Sequence, residues 1–396
     1  MAIMAKEIVN INVLKVLIIV CLVSFVFGEL IRFSIFGIET KLLDLTVALT
    51  FGFWLIYSFL KKRISKTIYA PALIFSIYCL WTLLINLKFL DLNQGIVSFA
   101  YLLRWVGYAS LFTIVSSFDR EFKDTIKSYL IFIGAIIVTA GFIQFTFYQS
   151  LRNLFYLGWD EHLYRMFSVF LDPNFAGAFF VLYFLFLLDL IFENLKNKKK
   201  LLIYSFLSVC TFLAILLTYS RSAFIMLIVG AVMFFILKRR PIYIVILVFL
   251  FVVLTFLLPK AYKTEGTNFL RIVSSEARFD SARLAFNIFK DNPVFGVGFN
   301  SYKFARQRYG SKISVTSHAD ATTDNSYLFI LATTGIIGLI LYLSIWYKLI
   351  KSNKKLSLFI PSTVSIFVGS LFINGLFYSF IMFWVWIVAG IMDNNE

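Results

Sequence analysis

Apolar residues run in long unbroken stretches, at roughly 11–28, 42–60, 70–87, 96–117 and 128–147, then 174–194, 201–218, 221–237 and 242–258, and finally 326–347 and 356–391. A bilayer core of about 30 Å needs about 20 apolar residues in a helix rising about 1.5 Å per residue. Each stretch is a candidate span, and the last is long enough for two. Continuous runs, unlike the alternating ten-residue segments of a barrel, predict helices. The expected fold is all-α: a polytopic integral membrane protein of about 11–12 transmembrane helices forming one domain over residues 1–396. The first run lacks a small-x-small cleavage site and reads as a retained anchor.

The polar intervals fix an orientation. Lys61, Lys62, Arg63 and Lys66; Arg120, Lys123 and Lys127; Lys196, Lys198, Lys199 and Lys200; Lys238, Arg239 and Arg240; and Lys348, Lys351, Lys354 and Lys355 occupy alternate loops. If every run is a span, all of them share one side, which should be cytoplasmic. The opposite side then receives the two longest polar intervals, 148–173 and 259–325. The second carries ten Lys and Arg against six Asp and Glu, so an outward-facing loop is basic and calls for an anionic partner. Within it, Ser274 and Ser275 can cap a helix ending before Asn292-Pro293. Phe279, Ala282, Phe286 and Phe289 recur at helical spacing opposite Glu276, Asp280, Arg283, Asn287 and Lys290, a pattern suited to a helix on the membrane surface.

Composition agrees with the pattern. A chain that is 60% hydrophobic and 15% charged, with mean hydropathy +0.87, cannot be a soluble enzyme or a disordered scaffold. The net charge of +16 lies largely in short loops between spans, so no nucleic-acid partner is expected. Cys21, Cys79 and Cys210 lie inside apolar runs without ligand spacing and read as packing residues.

Few residues could carry chemistry. Arg221 lies in Thr-Tyr-Ser-Arg-Ser, a short outward-facing turn between two spans; it either clamps an anion or snorkels to the interface. Arg104 lies within a span and is either ion-paired in the bundle or a substrate contact. Arg165 and Asp172-Pro173-Asn174 precede a span, where Asp172 or Asn174 can cap. His162 and His318 are outward-facing, each a general base or a solvated side chain. Tyr156, Trp159, Tyr164, Tyr302 and Tyr309 suit sugar stacking or interface anchoring. Two histidines and no paired-carboxylate spacing give no metal centre, and neither Gly-x-Ser-x-Gly nor a phosphate-binding Gly-rich loop is present.

Three segments together resemble the O-antigen ligase and polymerase superfamily. They are Leu217-Thr218-Tyr219-Ser220-Arg221-Ser222-Ala223; Arg278 through Gly298, with its proline and Gly296-Val297-Gly298; and Asp324-Asn325-Ser326-Tyr327-Leu328 followed by Thr334-Gly335-Ile336-Ile337-Gly338. Arg165 with Pro173-Asn174 adds a weaker match. The resemblance covers roughly residues 165–340. Two positions depart from the family pattern: Ala282 stands where an aromatic is common, and Asp324 where ligases usually carry the histidine of a His-Asn pair. The second departure favours a polymerase over a ligase.

The resemblance implies a GT-C-like membrane glycosyltransferase acting outside the cytoplasmic membrane, without cofactor or metal. The donor it implies is an oligosaccharide on undecaprenyl pyrophosphate, and the acceptor a sugar hydroxyl on another lipid-linked repeat. Membrane lipids and a chain-length regulator are the other partners to expect. Arg221 and Arg278 would stabilise the leaving diphosphate, Asp324 or His318 would act as base, and Arg283, Arg165, Asn325, Tyr327 and Arg104 would bind substrate. Three alternatives stay open: a ligase transferring glycan to lipid A-core or another acceptor, a flippase for the same lipids, and a structural subunit of an export complex.

Overall fold

The computed structural model describes residues 11–35, 38–61, 69–258, 267, 273–310, 322–352 and 356–393. The chain forms a helical bundle, in order α1 (Ile11–Phe25), α2 (Leu42–Leu60), α3 (Ala70–Asn86), α4 (Leu92–Ser116), α5 (Arg120–Phe147), α6 (Pro173–Glu193), α7 (Lys198–Leu217), α8 (Arg221–Leu237) and α9 (Ile242–Leu257). Then come α10 (Val273–Asp291), α11 (Tyr302–Arg308), α12 (Ser326–Ser352), α13 (Leu356–Gly369) and α14 (Ser379–Met392). Among the described residues, seven helices are long and apolar enough to cross a membrane, and five shorter apolar helices are α1, α8, α9, α13 and α14. The final apolar stretch is two helices, as its length allows. The all-α expectation holds apart from one antiparallel hairpin, β1 (Arg32–Ile35) with β2 (Ile38–Lys41), which pairs Arg32 with Lys41.

Burial follows composition. A helix apolar on every side must lie inside, and α6 does: Ala176 through Leu190 are buried without interruption. It runs against α7, α8 and α13. Helix α5 begins about two turns before its apolar run, because Asp119 accepts the Phe122 amide at 2.8 Å and starts a solvated segment.

Among the described residues, basic side chains from the alternate loops gather at one end of the bundle. There Lys127 pairs with Glu193 at 2.6 Å, Lys238 with buried Asp189 at 2.9 Å, Lys15 with Asp119, and Lys123 donates to the Asp393 carbonyl at 2.8 Å. The hairpin, the 148–172 segment, the α7–α8 turn and α10 lie at the other end.

Helix α10 packs along the first part of α12 through a face other than the phenylalanine stripe, which the sequence assigns to the membrane surface. Ala285 and Ile288 are buried with Val297, Tyr302, Ala305, Phe329 and Ala332, whereas Phe279 is 72% exposed and Phe286 48%. Small side chains let the two helices approach; the bulky rings are left outward. The helix begins at Val273, so Ser274 and Ser275 fall within its first turn.

The segment after α10 enters a break in α12. Gly335 has φ 68° and ψ −171°, which opens the helix, and the freed groups are met by the incoming chain. The Val297 amide donates to Ala332 O at 2.9 Å, Gly298 N to Thr333 O at 3.0 Å, and Ile336 N to Pro293 O at 2.9 Å. From α3, the Tyr78 hydroxyl donates to Val294 O at 2.8 Å and Asn86 Nδ2 to Gly296 O at 3.3 Å. A Cβ on Gly335 would sit 2.1 Å from Val294 O, and one on Gly296 2.3 Å from Thr333 C, so both positions require glycine.

Candidate active site

The α7–α8 turn is built from three directions. The Arg165 Nε donates to Thr218 O at 2.9 Å, and its neighbour's amide, Met166 N, donates to Leu217 O at 2.8 Å. Asn174 Oδ1 accepts the Ser220 hydroxyl at 3.0 Å and an Arg165 terminal nitrogen at 3.4 Å. Asp172, not Asn174, caps α6, accepting the amides of Asn174 at 2.6 Å and Phe175 at 3.3 Å. Capping by Asp172 leaves the Asn174 amide side chain to hold the turn. Ser220 caps α8, and Gly177 lets α6 approach so closely that a Cβ there would meet Ala223 at 2.5 Å. Arg165, 4% exposed, is therefore anchored against the turn that presents Arg221.

Arg221 begins α8, half-buried. Arg278 approaches from α10, near enough for its charge to act on the Arg221 guanidinium. The Arg278 Nε also lies 3.8 Å from Asp324 Oδ2. Ser281, three residues on and so on the same face, donates to the Thr323 hydroxyl at 3.4 Å. Three residues named from sequence thus converge at one end of the bundle, although 57 and 46 positions separate them along the chain.

The Asp324-Asn325 pair divides its work. Asn325 Oδ1 accepts the amides of Tyr327 at 2.9 Å and Leu328 at 3.0 Å, so Asn325 is the cap of α12, and its Nδ2 donates to Leu371 O at 3.1 Å. The Asp324 carboxylate takes no part in the cap and is 52% exposed toward Arg278.

The remaining candidates sit elsewhere. Arg283 is exposed and lies about 140° round α10 from Arg278, at about 100° per residue, so it does not join the arginine pair. The Tyr327 hydroxyl donates to Phe367 O at 2.9 Å, tying α12 to α13. Arg104 forms an ion pair with Asp44 at 3.4 Å, donates to the Glu39 carbonyl and stacks on Tyr101 at 4.4 Å. Asp44 further accepts from Tyr108 at 2.7 Å and Ser379 at 2.9 Å. His318 lies outside the described residues. His162 faces Asp172, with Nε2 3.9 Å from Oδ2. Of the aromatic candidates, Tyr302 is buried, the Tyr309 hydroxyl meets Asn292 at 3.1 Å, Trp159 stacks under Arg32 at 5.1 Å, and Tyr156 is 81% exposed.

Some polar residues at this end escaped the sequence reading. Asp44 and Glu29 are buried acids at membrane-helix ends, and Lys41 pairs with Glu29 at 3.3 Å. Lys303 and buried Arg306 share a face of α11; desolvation and the Arg306 charge hold the Lys303 ammonium below its ordinary range, against the pull of Glu39. Their signal was a three-residue spacing of like charges, which has no meaning until the helix is known to be packed. Among the described residues no group of three or more His, Cys, Asp or Glu is placed to share a metal ion.

A search of curated proteins found no match to the chain. The family model described as O-antigen ligase matches residues 206–343, the segment that holds Arg221, Arg278 and Asp324. That family suggests a glycosyltransferase-like activity in O-antigen assembly. A helical membrane bundle that carries this segment is consistent with the O-antigen ligase and polymerase superfamily.

Proposed function

We propose that the protein is a surface-polysaccharide polymerase of the cytoplasmic membrane, with its site on the outer side. The donor is an oligosaccharide on undecaprenyl pyrophosphate; the acceptor is a sugar hydroxyl of a second lipid-linked repeat. The observation that carries this reading is the convergence of Arg221, Arg278 and Asp324 at the end of the bundle opposite the basic loops.

The chemistry follows from that arrangement. The acceptor oxygen attacks the anomeric carbon, the bond from that carbon to the diphosphate oxygen breaks, and its electron pair leaves with the diphosphate. Negative charge grows on the leaving group, so two guanidinium groups stabilise the transition state more than the ground state. Guanidinium forks suit phosphate oxygens and supply the charge without a metal. Asp324 takes the acceptor proton. Arg278 pairs with Asp324 in the structure; exchanging that carboxylate for a diphosphate oxygen couples donor binding to the base. A single displacement inverts the configuration. Arg165 and Asn174 position the Arg221 turn, and Asn325 positions Asp324.

A ligase reading is favoured by the description of the matching family. Incubating purified protein with synthetic lipid-linked repeats, with and without a chelator, separates the readings. A product ladder that survives the chelator is the polymerase result. A single transfer to a different lipid glycan means ligase, and lipid movement without a new glycosidic bond means flippase.

A further inference from the structure

Helix α5 ends on a side chain that uses every hydrogen-bonding position it has. A glutamine amide carries two N–H donors and an oxygen with two lone pairs. Gln144, in the last turn of α5, donates from Nε2 to Tyr148 O at 2.8 Å and to Arg165 O at 3.3 Å. Its Oε1 accepts the amides of Phe167 at 2.8 Å and Ser168 at 3.0 Å. One bond closes the end of its own helix. The other three reach a segment 21 to 24 positions further on.

That segment needs them. Residues 165–171 are buried throughout, yet their only regular structure is one short turn, Ser168–Phe170. Ser168 and Leu171 hold left-handed backbone, φ 49° and 54°, which residues other than glycine keep only where the surroundings fix them. Buried irregular backbone among apolar helices must find its partners inside the protein. At the far end of the segment, the Glu29 amide donates to Val169 O at 2.8 Å and the Ser168 hydroxyl to Ile137 O at 2.7 Å. Gly141, one turn before Gln144 on the same face of α5, makes room: a Cβ there would lie 2.9 Å from the Met166 sulfur. At the near end, beside Arg165, Gln144 supplies three bonds from one side chain.

The same residues hold the α7–α8 turn on their other side, through Arg165 Nε on Thr218 O and Met166 N on Leu217 O. A continuous chain of contacts therefore runs from α5 through 165–168 to the turn that presents Arg221. We infer that Gln144 is a positioning residue for the proposed reaction, fixing the backbone at Arg165 so that the Arg165 guanidinium holds Arg221 in place. The inference rests on the proposed function and extends the site to a side chain that touches none of the reacting groups.

Hydrogen exchange of the full-length protein in nanodiscs tests it, read by mass spectrometry on peptides covering 217–223. Gln144→Met keeps the bulk of the side chain and removes all four bonds. Exchange at the turn should quicken by about tenfold, as much as in Arg165→Met, and the double variant should exchange no faster than either alone. Ser168→Ala, which loses the bond to Ile137 O, loosens the same segment away from Arg165 and should leave the turn at the parental rate. Parental exchange at the turn in Gln144→Met, an equal rise in Ser168→Ala, or effects that multiply in the double variant overturns the inference. Gln144→Glu keeps the acceptor for Phe167 and Ser168 and serves if Gln144→Met does not fold; a rise of about threefold at the turn is expected, and none overturns the inference. In the transfer assay, turnover per folded Gln144→Met protein should fall about tenfold at unchanged donor KM, and a raised donor KM at parental turnover overturns it. Exchange needs no sugar transfer, so absence of transfer by the parent protein contradicts the proposed function while the link from Gln144 to the turn is judged separately.

Discussion

The Arg278 guanidinium lies 3.8 Å from the Asp324 carboxylate, joining an amphipathic helix to the mouth of a membrane helix. The contact is held at both ends of α10: Ser281 meets Thr323 beside it, and about 20 Å further along, at about 1.5 Å per residue, the Pro293–Gly298 segment fills the break in α12. The position of Arg278 is therefore set by packing remote from it.

The neighbours Asp324 and Asn325 should separate function from stability. Asp324→Asn removes the base but not the cap, so product formation should fall by on the order of a hundredfold or more while the thermal midpoint stays within a degree or two. Asn325→Ala should lower stability by about 1 kcal/mol through loss of the cap, and Asn325→Asp should restore it. Thermal denaturation in detergent beside a transfer assay reads both.

Gly335 tests the broken helix. Gly335→Ala forces a Cβ against Val294 O and holds a left-handed φ, so it should lower the thermal midpoint sharply and abolish transfer. Gly310→Ala has a comparable φ of 78° but open space around it, and should show only the backbone penalty of about 1–3 kcal/mol. Similar losses in the two variants would mean that the close approach at Gly335 is unimportant.

Buried charge gives a third expectation. Arg104 and Asp44 side chains are 12% and 5% exposed, and removing one partner strands the other. Arg104→Ala should destabilise by about 3–5 kcal/mol, and the double variant Arg104→Met with Asp44→Leu should recover much of it. If Arg104 instead bound substrate, the double variant would be stable but inactive; stability with retained transfer marks a structural pair.

Much of the bundle was legible in the sequence, because a long apolar run in a polar chain has few physical outcomes. The 174–194 run, apolar from Phe175 to Phe192 but for Asp189, became the central α6, and the final stretch split in two as its length allowed. The hairpin at Arg32–Lys41 was not legible: its strands are four residues each, too short for alternation to stand out. Within the site, Arg221 could be named because charge beside hydrocarbon needs a reason, whereas Arg278 was named only by the resemblance of its segment to the O-antigen ligase and polymerase superfamily. The packed face of α10 could not be named, since Ala285 and Ile288 gain their role from the small residues opposite. Asp44 went unnoticed because its partner is distant in sequence, and the Asp324-Asn325 cap could not be assigned because both residues cap well.

The turn before α8 should tolerate little change. Arg165→Lys loses the Nε bond to Thr218 O and the fixed fork, and Asn174→Ala loses the acceptor for Ser220. Each should reduce turnover by about tenfold with little effect on donor KM, since the turn orients Arg221 and makes no contact of its own with the acceptor. A rise in donor KM at constant turnover would instead assign Arg165 to donor binding.

The most direct measurement is the rate of glycosidic-bond formation by Arg221→Gln and Arg278→Gln proteins, inserted and folded as judged by thermal midpoint, with a defined lipid diphosphate donor. Two guanidinium groups stabilising the departing diphosphate predict losses on the order of a hundred- to a thousandfold for each variant, less than multiplicative when combined. Transfer at the parental rate by both variants would contradict the account.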